Sequence, residues 1–242
     1  MKKIFTLLTL ILTILSNTYS QNTFGIKANI GFSSFSSKYY SGYSDINLKD
    51  KYSPSGQLGV YYQIKINNTY SLGTELIFQQ IEGEQETKTF QETNNNGILI
   101  SELRTISNFK QHISYIGIPI YLEMIINKLN LNLGVQANYV LGSSGKIVSK
   151  GYNTNSPDLY NNPLNFDNEP DVVSINTQND LNITNFDYGL RIGITSNITQ
   201  KLSFEANYYF GLNNIIKDNS NFAEWKIRQM TVGIRYSIFS TD

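Results

Sequence analysis

Residues 129–141 read LNLNLGVQANYVL, and this stretch decides the fold. From Leu129 to Tyr139 every second side chain is apolar, and the positions between them carry Asn, Gly and Gln. A period of two is typical of a β-strand whose two faces meet different surroundings. The second face is small and neutral, as expected for side chains that crowd a narrow interior.

Seven further stretches alternate in the same way, so the sequence predicts eight strands. They begin at or near Phe24, Leu58, Tyr70, Ile116, Phe186, Leu202 and Met230. An even number of strands brings both ends of the chain to the same rim. Tight turns are predicted at Asn67-Asn68, at Asn127-Lys128 and at 197–200, and long polar loops at 33–54, 83–110, 143–182 and 213–224.

Short turns on one rim and long loops on the other are typical of bacterial outer-membrane barrels. In lipid the backbone must satisfy all its own hydrogen bonds, and a closed barrel does so because it has no edge. We therefore predict an all-β chain that forms an eight-stranded antiparallel transmembrane β-barrel. The alternative is a soluble, lipocalin-type barrel, which would turn the apolar face inward.

Composition excludes several functions. The 242 residues include 19 Lys and Arg against 19 Asp and Glu, so no net charge draws the chain to nucleic acid. There is no Cys and only one His, which excludes a disulfide, a thiolate nucleophile and a zinc site rich in nitrogen ligands. We expect neither a metal nor another cofactor.

The first residues have the order of an export signal. Lys2 and Lys3 precede an apolar stretch over 4–15, and small residues at 18–20 suit a signal peptidase. We predict a signal peptide over 1–20 that is cleaved before Gln21, with residues 21–242 forming the barrel. The alternative, a retained membrane helix, is shorter than the ~20 residues that a span requires.

Four stretches carry a resemblance to a known family: FGIKAN at 24–29, YSLGTELIFQQ at 70–80, YIGIPI at 115–120 and YYFGLNNI at 208–215. Together they resemble the outer-membrane β-barrel proteins of Bacteroidetes, the PorT-like group of small porin-family barrels. Glu75 and Pro119 are the most specific positions. The resemblance implies a barrel in the cell envelope and no particular activity.

The end of the chain also resembles a barrel-assembly signal. Tyr236, Ile238 and Phe239 stand at the expected spacing, although the chain continues to Asp242. This implies insertion by the barrel-assembly machinery, with outer-membrane lipids and lipopolysaccharide as surroundings.

His112 and Ser114 are two residues apart and share one strand face. The pair resembles the His-x-Ser pair of outer-membrane lipid A deacylases, in which the imidazole activates the serine. The register of the strand predicts that both point toward lipid. An acid to orient the His is missing, because Glu123 lies on the opposite face. We therefore expect no catalytic residue.

Charged residues on the inner face are predicted to form a structural network in the lumen, since buried opposite charges pair. Glu205 is expected between Arg191 and Arg235, and Glu75 and Glu123 are expected near Lys65 or Lys27. An alternative role for the carboxylates is acid–base catalysis. The network comprises Lys27, Lys65, Glu75, Glu123, Arg191, Glu205 and Arg235.

Two functions follow from these patterns. The first is a non-enzymatic barrel whose extracellular loops act in envelope integrity or bind a partner that the sequence does not identify. The second is a narrow porin-like solute channel. Eight strands enclose only side chains, whereas porins need about 16, so the sequence favours the first. A lipid A-modifying hydrolase using His112 and Ser114 is the third and weakest reading.

Overall fold

The computed structural model describes residues 22–39, 47–95, 98–154, 172–179, 181–217 and 223–241. The predicted signal peptide over 1–20 and its cleavage before Gln21 lie outside the described residues. Within them the chain forms nine strands: β1 (Asn22–Tyr39), β2 (Asn47–Lys65), β3 (Tyr70–Asn95), β4 (Ile98–Ile126), β5 (Leu129–Thr154), β6 (Val172–Gln178), β7 (Phe186–Asn197), β8 (Leu202–Gly211) and β9 (Ala223–Ser240).

Eight of these strands close into a ring. Each strand pairs antiparallel with its neighbours, β4 pairs with both β3 and β5, and β1 joins β2 to β9 to complete the circle. The short β6 pairs only with residues 145–151 of β5, above the part of β5 that pairs with β7. The predicted eight-stranded antiparallel barrel is confirmed.

The predicted loops are wrong over much of their length. Residues 83–95 and 98–110 continue β3 and β4 as one ladder, and β5 runs on to Thr154. Antiparallel pairing continues because each added pair satisfies two backbone groups. The sequence held one signal for this, the Asn96-Gly97 pair, which favours a two-residue hairpin turn.

The outer wall carries a continuous apolar band. On β4 the outward side chains are apolar from Ile116 to Ile126, a rise of about 33 Å along the strand at ~3.3 Å per residue. Because strands in such barrels are tilted by about 40°, this length corresponds to a height close to the ~25 Å of a transmembrane band. Leu133 is 63% exposed, and surface of this kind requires an apolar medium.

No helix in the described ranges is long and apolar enough to cross a membrane.

The tight turns lie together on one rim. Asn67 closes the β2–β3 turn by accepting hydrogen bonds from the backbone of Thr69 and Tyr70. Asn127 begins the two-residue β4–β5 turn with a φ of 55°, a left-handed conformation that Asn tolerates well. The first described residue, Asn22, also lies at this rim, where its carbonyl accepts from the Thr241 amide.

Candidate functional site

Large side chains fill the lumen because glycines on other strands make room for them. A Cβ at Gly73 would lie 2.3 Å from the Tyr121 ring, and a Cβ at Gly83 would lie 2.0 Å from the Phe35 ring. Such distances exclude any side chain at either position. Alternation of the smallest and largest residues is therefore what allows a narrow barrel to be packed solid.

Glu75 on β3 is the centre of the buried charges. Its carboxylate accepts two nearly parallel hydrogen bonds from Arg191 on β7, Nη1 to Oε2 at 2.7 Å and Nη2 to Oε1 at 3.1 Å. Lys27 Nζ and Arg235 Nη2 each donate to it at 2.8 Å. Because β3 and β7 are not neighbours, this paired contact crosses the lumen and ties opposite walls together.

Glu205 on β8 is the second anion of the cluster. It accepts from Arg235 Nε on β9, lies 2.5 Å from Lys27 Nζ and lies 3.9 Å from Arg191 Nη2. The structure thus places Glu205 between Arg191 and Arg235. All of these side chains are at most 3% exposed, so water screens their attraction poorly.

Glu123 and Lys65 lie lower, at the rim with the tight turns. Glu123 Oε2 is 3.7 Å from Arg235 Nη1, and its other oxygen accepts from Gln63 and Asn130. Lys65 lines the cavity below this point. Six of the seven predicted residues therefore meet in one cluster, and Lys65 lies at its edge.

Above the charges lies a layer of amides. Gln57 donates to both Gln79 and Gln229 at 2.9 Å, and Gln79 donates to Asn138 at 3.0 Å. Asn138 in turn donates to Asp187, at 2.9 Å. Amides both donate and accept, so they can span the lumen in a chain without bringing in further charge.

The outer third of the lumen is apolar, which sequence reasoning missed. Nine buried side chains from five strands and two connecting segments pack into one cluster, here called the plug. Three of its residues, Phe35, Leu181 and Ile215, come from predicted loops. For Ile113 and Ile227, period-two alternation was the available signal. The plug comprises Phe35, Ile81, Ile113, Tyr115, Leu181, Ile183, Tyr209, Ile215 and Ile227.

On the outer wall the structure supplies an acid for His112. Glu82 lies directly opposite His112 in the β3–β4 register, and its Oε1 is 3.2 Å from His112 Nδ1. The sequence alone could not pair them, because a strand register is needed. Among the described hydrogen bonds none joins Ser114 to His112, so the serine side of a triad is not formed.

Charged side chains form a belt just outside the apolar band. Lys51 contacts Glu84 at 3.0 Å and Glu86 at 2.9 Å, and Lys110 reaches Glu84 at 3.5 Å. Hydrogen bonds from Lys51 hold the pKa of the Glu84 and Glu86 carboxyls below the usual value, and Glu86 in return raises the pKa of Lys51. The outer belt, as we call it, comprises Lys51, Glu82, Glu84, Glu86, Lys110, His112 and Lys146.

A closed eight-stranded barrel with an apolar outer wall and a polar, filled interior defines a class of membrane-spanning protein. The family described as "Outer membrane protein beta-barrel domain" matches residues 19–217 of this chain. The chain therefore belongs to the outer-membrane β-barrel family, and the rim with the tight turns is the periplasmic one. No curated protein sequence matches it.

Three solved structures are similar to this chain. Ail, the attachment invasion locus protein of Yersinia pestis, has 12% identity and a TM-score of 0.36, covering 91% of this chain and 100% of its own. Neisserial surface protein A has 12% identity and a TM-score of 0.38, covering 89% and 97%. OprG from Pseudomonas aeruginosa has 7% identity and a TM-score of 0.34, covering 90% and 96%. At these scores the likenesses carry no argument about activity.

Proposed function

We propose that this chain is a non-enzymatic outer-membrane barrel that supports envelope integrity, with a lumen that conducts no solute and an outer belt that binds lipopolysaccharide headgroups. One observation carries the lipopolysaccharide part. Lys110 and Lys146 lie directly opposite each other in the β4–β5 register, just beyond the apolar Ile116. Like charges placed directly opposite each other destabilise a sheet, and the Glu84 contact to Lys110 at 3.5 Å offsets only one of the two lysines.

The position of the belt supports a lipid ligand. A cavity of about 370 Å³ on the outer side of the wall is lined by Lys110 and Lys146, and also by Glu82, Glu84, His112 and Tyr52. Past Ser114 and Gln80, the outward side chains toward the periplasm, such as Ile116 and Phe78, are apolar and exposed. A ligand with a phosphorylated head and acyl chains meets both surfaces at once, because its head and tails lie on the two sides of this boundary.

The test is binding of lipopolysaccharide to the folded barrel. Lysines near an anionic lipid surface contribute about 1 kcal/mol each. The Lys110→Gln, Lys146→Gln double variant should therefore bind purified lipopolysaccharide roughly 30-fold more weakly. The matched control is Lys128→Gln with Lys201→Gln, two exposed lysines of the periplasmic rim. Equal affinity of wild type and the first variant would remove the belt from the proposal.

The closed lumen is supported by the charge cluster, the amide layer and the plug, which follow one another along the axis. The competing function is a narrow solute channel. Purified barrel in a planar bilayer should give no steady conductance, and stable open-channel currents would promote the channel instead. We further propose that the chain belongs to the PorT-like group of Bacteroidetes barrels and is inserted by the barrel-assembly machinery.

The absence of catalysis is a separate part of the proposal. Glu82 and His112 lie within the outer belt, and Glu82 pairs with the imidazole at 3.2 Å. We take this contact as a hydrogen bond within the belt, because no described hydrogen bond activates Ser114. His112→Ala and Ser114→Ala should leave the lipid A composition of the cell unchanged by mass spectrometry. A deacylated species lost in both variants would make the protein a hydrolase.

A further inference from the structure

A cavity of about 510 Å³ opens from the lumen at the periplasmic rim, below the charge cluster. Its volume lies within the ~300–1,000 Å³ range of small-molecule sites. The floor contains Glu123, Asn130 and Thr195, and the mouth carries Lys65, Lys128 and Lys201 from three separate strand ends and turns. The cavity is therefore built by side chains from most of the barrel.

Three oxygen atoms at the floor accept no hydrogen bond from any described group. They are Glu123 Oε2, Asn130 Oδ1 and Thr195 Oγ1, on side chains whose residues are 1%, 7% and 3% exposed. Asn130 is held by its own amide nitrogen, which donates to Glu123 Oε1 at 2.9 Å. Thr195 lies directly opposite Asn130 in the β5–β7 register. The three acceptors thus belong to adjacent side chains that line one cavity.

Glu123 Oε2 has an ion-pair contact with Arg235 Nη1 at 3.7 Å but no hydrogen bond, and the other two oxygens have neither. These atoms favour a ligand that donates hydrogen bonds, because buried acceptors without hydrogen bonds are costly. A primary ammonium group has three donors, which matches three acceptors of which one is a carboxylate oxygen. At the mouth of the cavity the ligand must carry negative charge instead. Four of the lining residues are cationic and only Glu123 is anionic, so the cavity as a whole attracts anions.

We propose that this periplasmic cavity binds a short acidic peptide with a free N-terminus. The ammonium group enters first and is held by Glu123, Asn130 and Thr195. Its carboxylates remain at the mouth, where Lys128 and Lys201 are exposed and neutralise them. The charge cluster and the plug lie beyond the floor, so the peptide is bound and is not transported.

Calorimetric titration of the folded barrel in detergent micelles tests the proposal with three dipeptide probes. Gly-Glu carries the amine and both carboxylates, N-acetyl-Gly-Glu lacks the amine, and Gly-Gln amide lacks the carboxylates. Gly-Glu should bind, and each of the other two should bind at least about tenfold more weakly, because each loses charge-assisted hydrogen bonds at one end. Equal binding of Gly-Glu and its acetylated form would overturn the proposed orientation.

Variants assign the two ends of the site. Thr195→Val keeps the side-chain shape and should weaken Gly-Glu about tenfold without changing the weak binding of the acetylated peptide. Lys128→Gln with Lys201→Gln should weaken both, and these turn residues are exposed, so folding is preserved. Lys146→Gln on the outer belt is the matched control and should have no effect. Absence of Gly-Glu binding to wild type at millimolar concentration would refute the site altogether.

Discussion

The two ends of the lumen are closed by opposite means. On the periplasmic side Glu75 and Glu205 join three cations in a fully buried cluster. On the outer side Ile81, Ile113 and their neighbours form an apolar plug with side chains that are 0–6% exposed. The charged cluster is directional and requires every partner, whereas the plug is held by contact area and tolerates change in proportion to the volume lost.

The charge cluster and the plug stabilise the barrel in different ways. Ion pairs that cross the lumen fix which strands face each other, since Arg191 reaches Glu75 on a non-neighbouring strand. Apolar packing excludes water from the outer opening without specifying partners. A cluster of charges alone would leave water paths beside it, and a plug alone would leave the register of the strands weakly specified.

A charged side chain placed in the plug should cause the largest loss of stability. Ile113→Lys buries an ammonium among the plug residues, and none of these carries a carboxylate to pair with it. The penalty is several kcal/mol, so the folded band on a heat-shift gel should be lost. Ser114→Lys is the matched control. The side chain at position 114 faces outward toward the belt, so this variant should fold. Normal folding of Ile113→Lys would mean that the plug is not dry.

Removal of a charge from the cluster comes second. Glu75→Gln leaves Lys27, Arg191 and Arg235 without their shared anion and should destabilise the barrel by about 3–5 kcal/mol. The unfolding temperature on a heat-shift gel measures this, and Glu205→Gln should lower it as well. Glu84→Gln in the outer belt should cost less than about 1 kcal/mol. Similar losses for Glu75→Gln and Glu84→Gln would show that the lumen cluster is well hydrated.

Removal of apolar volume comes third. Ile227 is 0% exposed in the plug, and its replacement by Ala should cost about 2–5 kcal/mol because the cavity has nothing to fill it. Ile234 on the same strand is 50% exposed on the outer wall, where lipid fills the space left by Ala. Urea unfolding in lipid vesicles compares the two. A loss for Ile234→Ala as large as that for Ile227→Ala would contradict the assignment of inner and outer faces.

Acid should weaken the ion pairs of the outer belt, and this is the smallest of the expected effects on stability. The Glu84 and Glu86 carboxyls have a folded pKa below the unfolded one, so their stabilisation is complete above the unfolded value of about 4.3 and disappears as pH falls through the folded pKa. Exposed pairs of this kind contribute at most about 1 kcal/mol. Hydrogen exchange of the β2–β3 amides should show the loss below about pH 4. In Lys51→Gln the pH step should be smaller, since Lys110 still contacts Glu84, and an unchanged step would assign it to other groups.

Several features of the fold could be predicted from the sequence because they repeat locally. Alternation at 129–141 and seven similar stretches indicated eight strands, and Asn127 marked a turn that the structure forms with a positive φ. The inner face of Lys27, Glu75 and Glu205 could be assigned by parity alone. What alternation could not give was which charges meet across the lumen, so the paired contact between Arg191 and Glu75 was missed.

The plug and the Glu82–His112 pair were decided only by tertiary structure. A period of two indicates which face a side chain occupies, but it does not indicate which residue of the next strand lies opposite. The register between β3 and β4 decides this, and it places Glu82 opposite His112. Leu181 and Ile215 come from connecting segments with no period, and only the closed ring brings them together with Phe35. The sequence determined alternation, turns and an apolar outer wall, since these depend on neighbours along the chain. The barrel's closure decided which inner side chains meet, because contacts across a lumen join residues that are far apart in sequence.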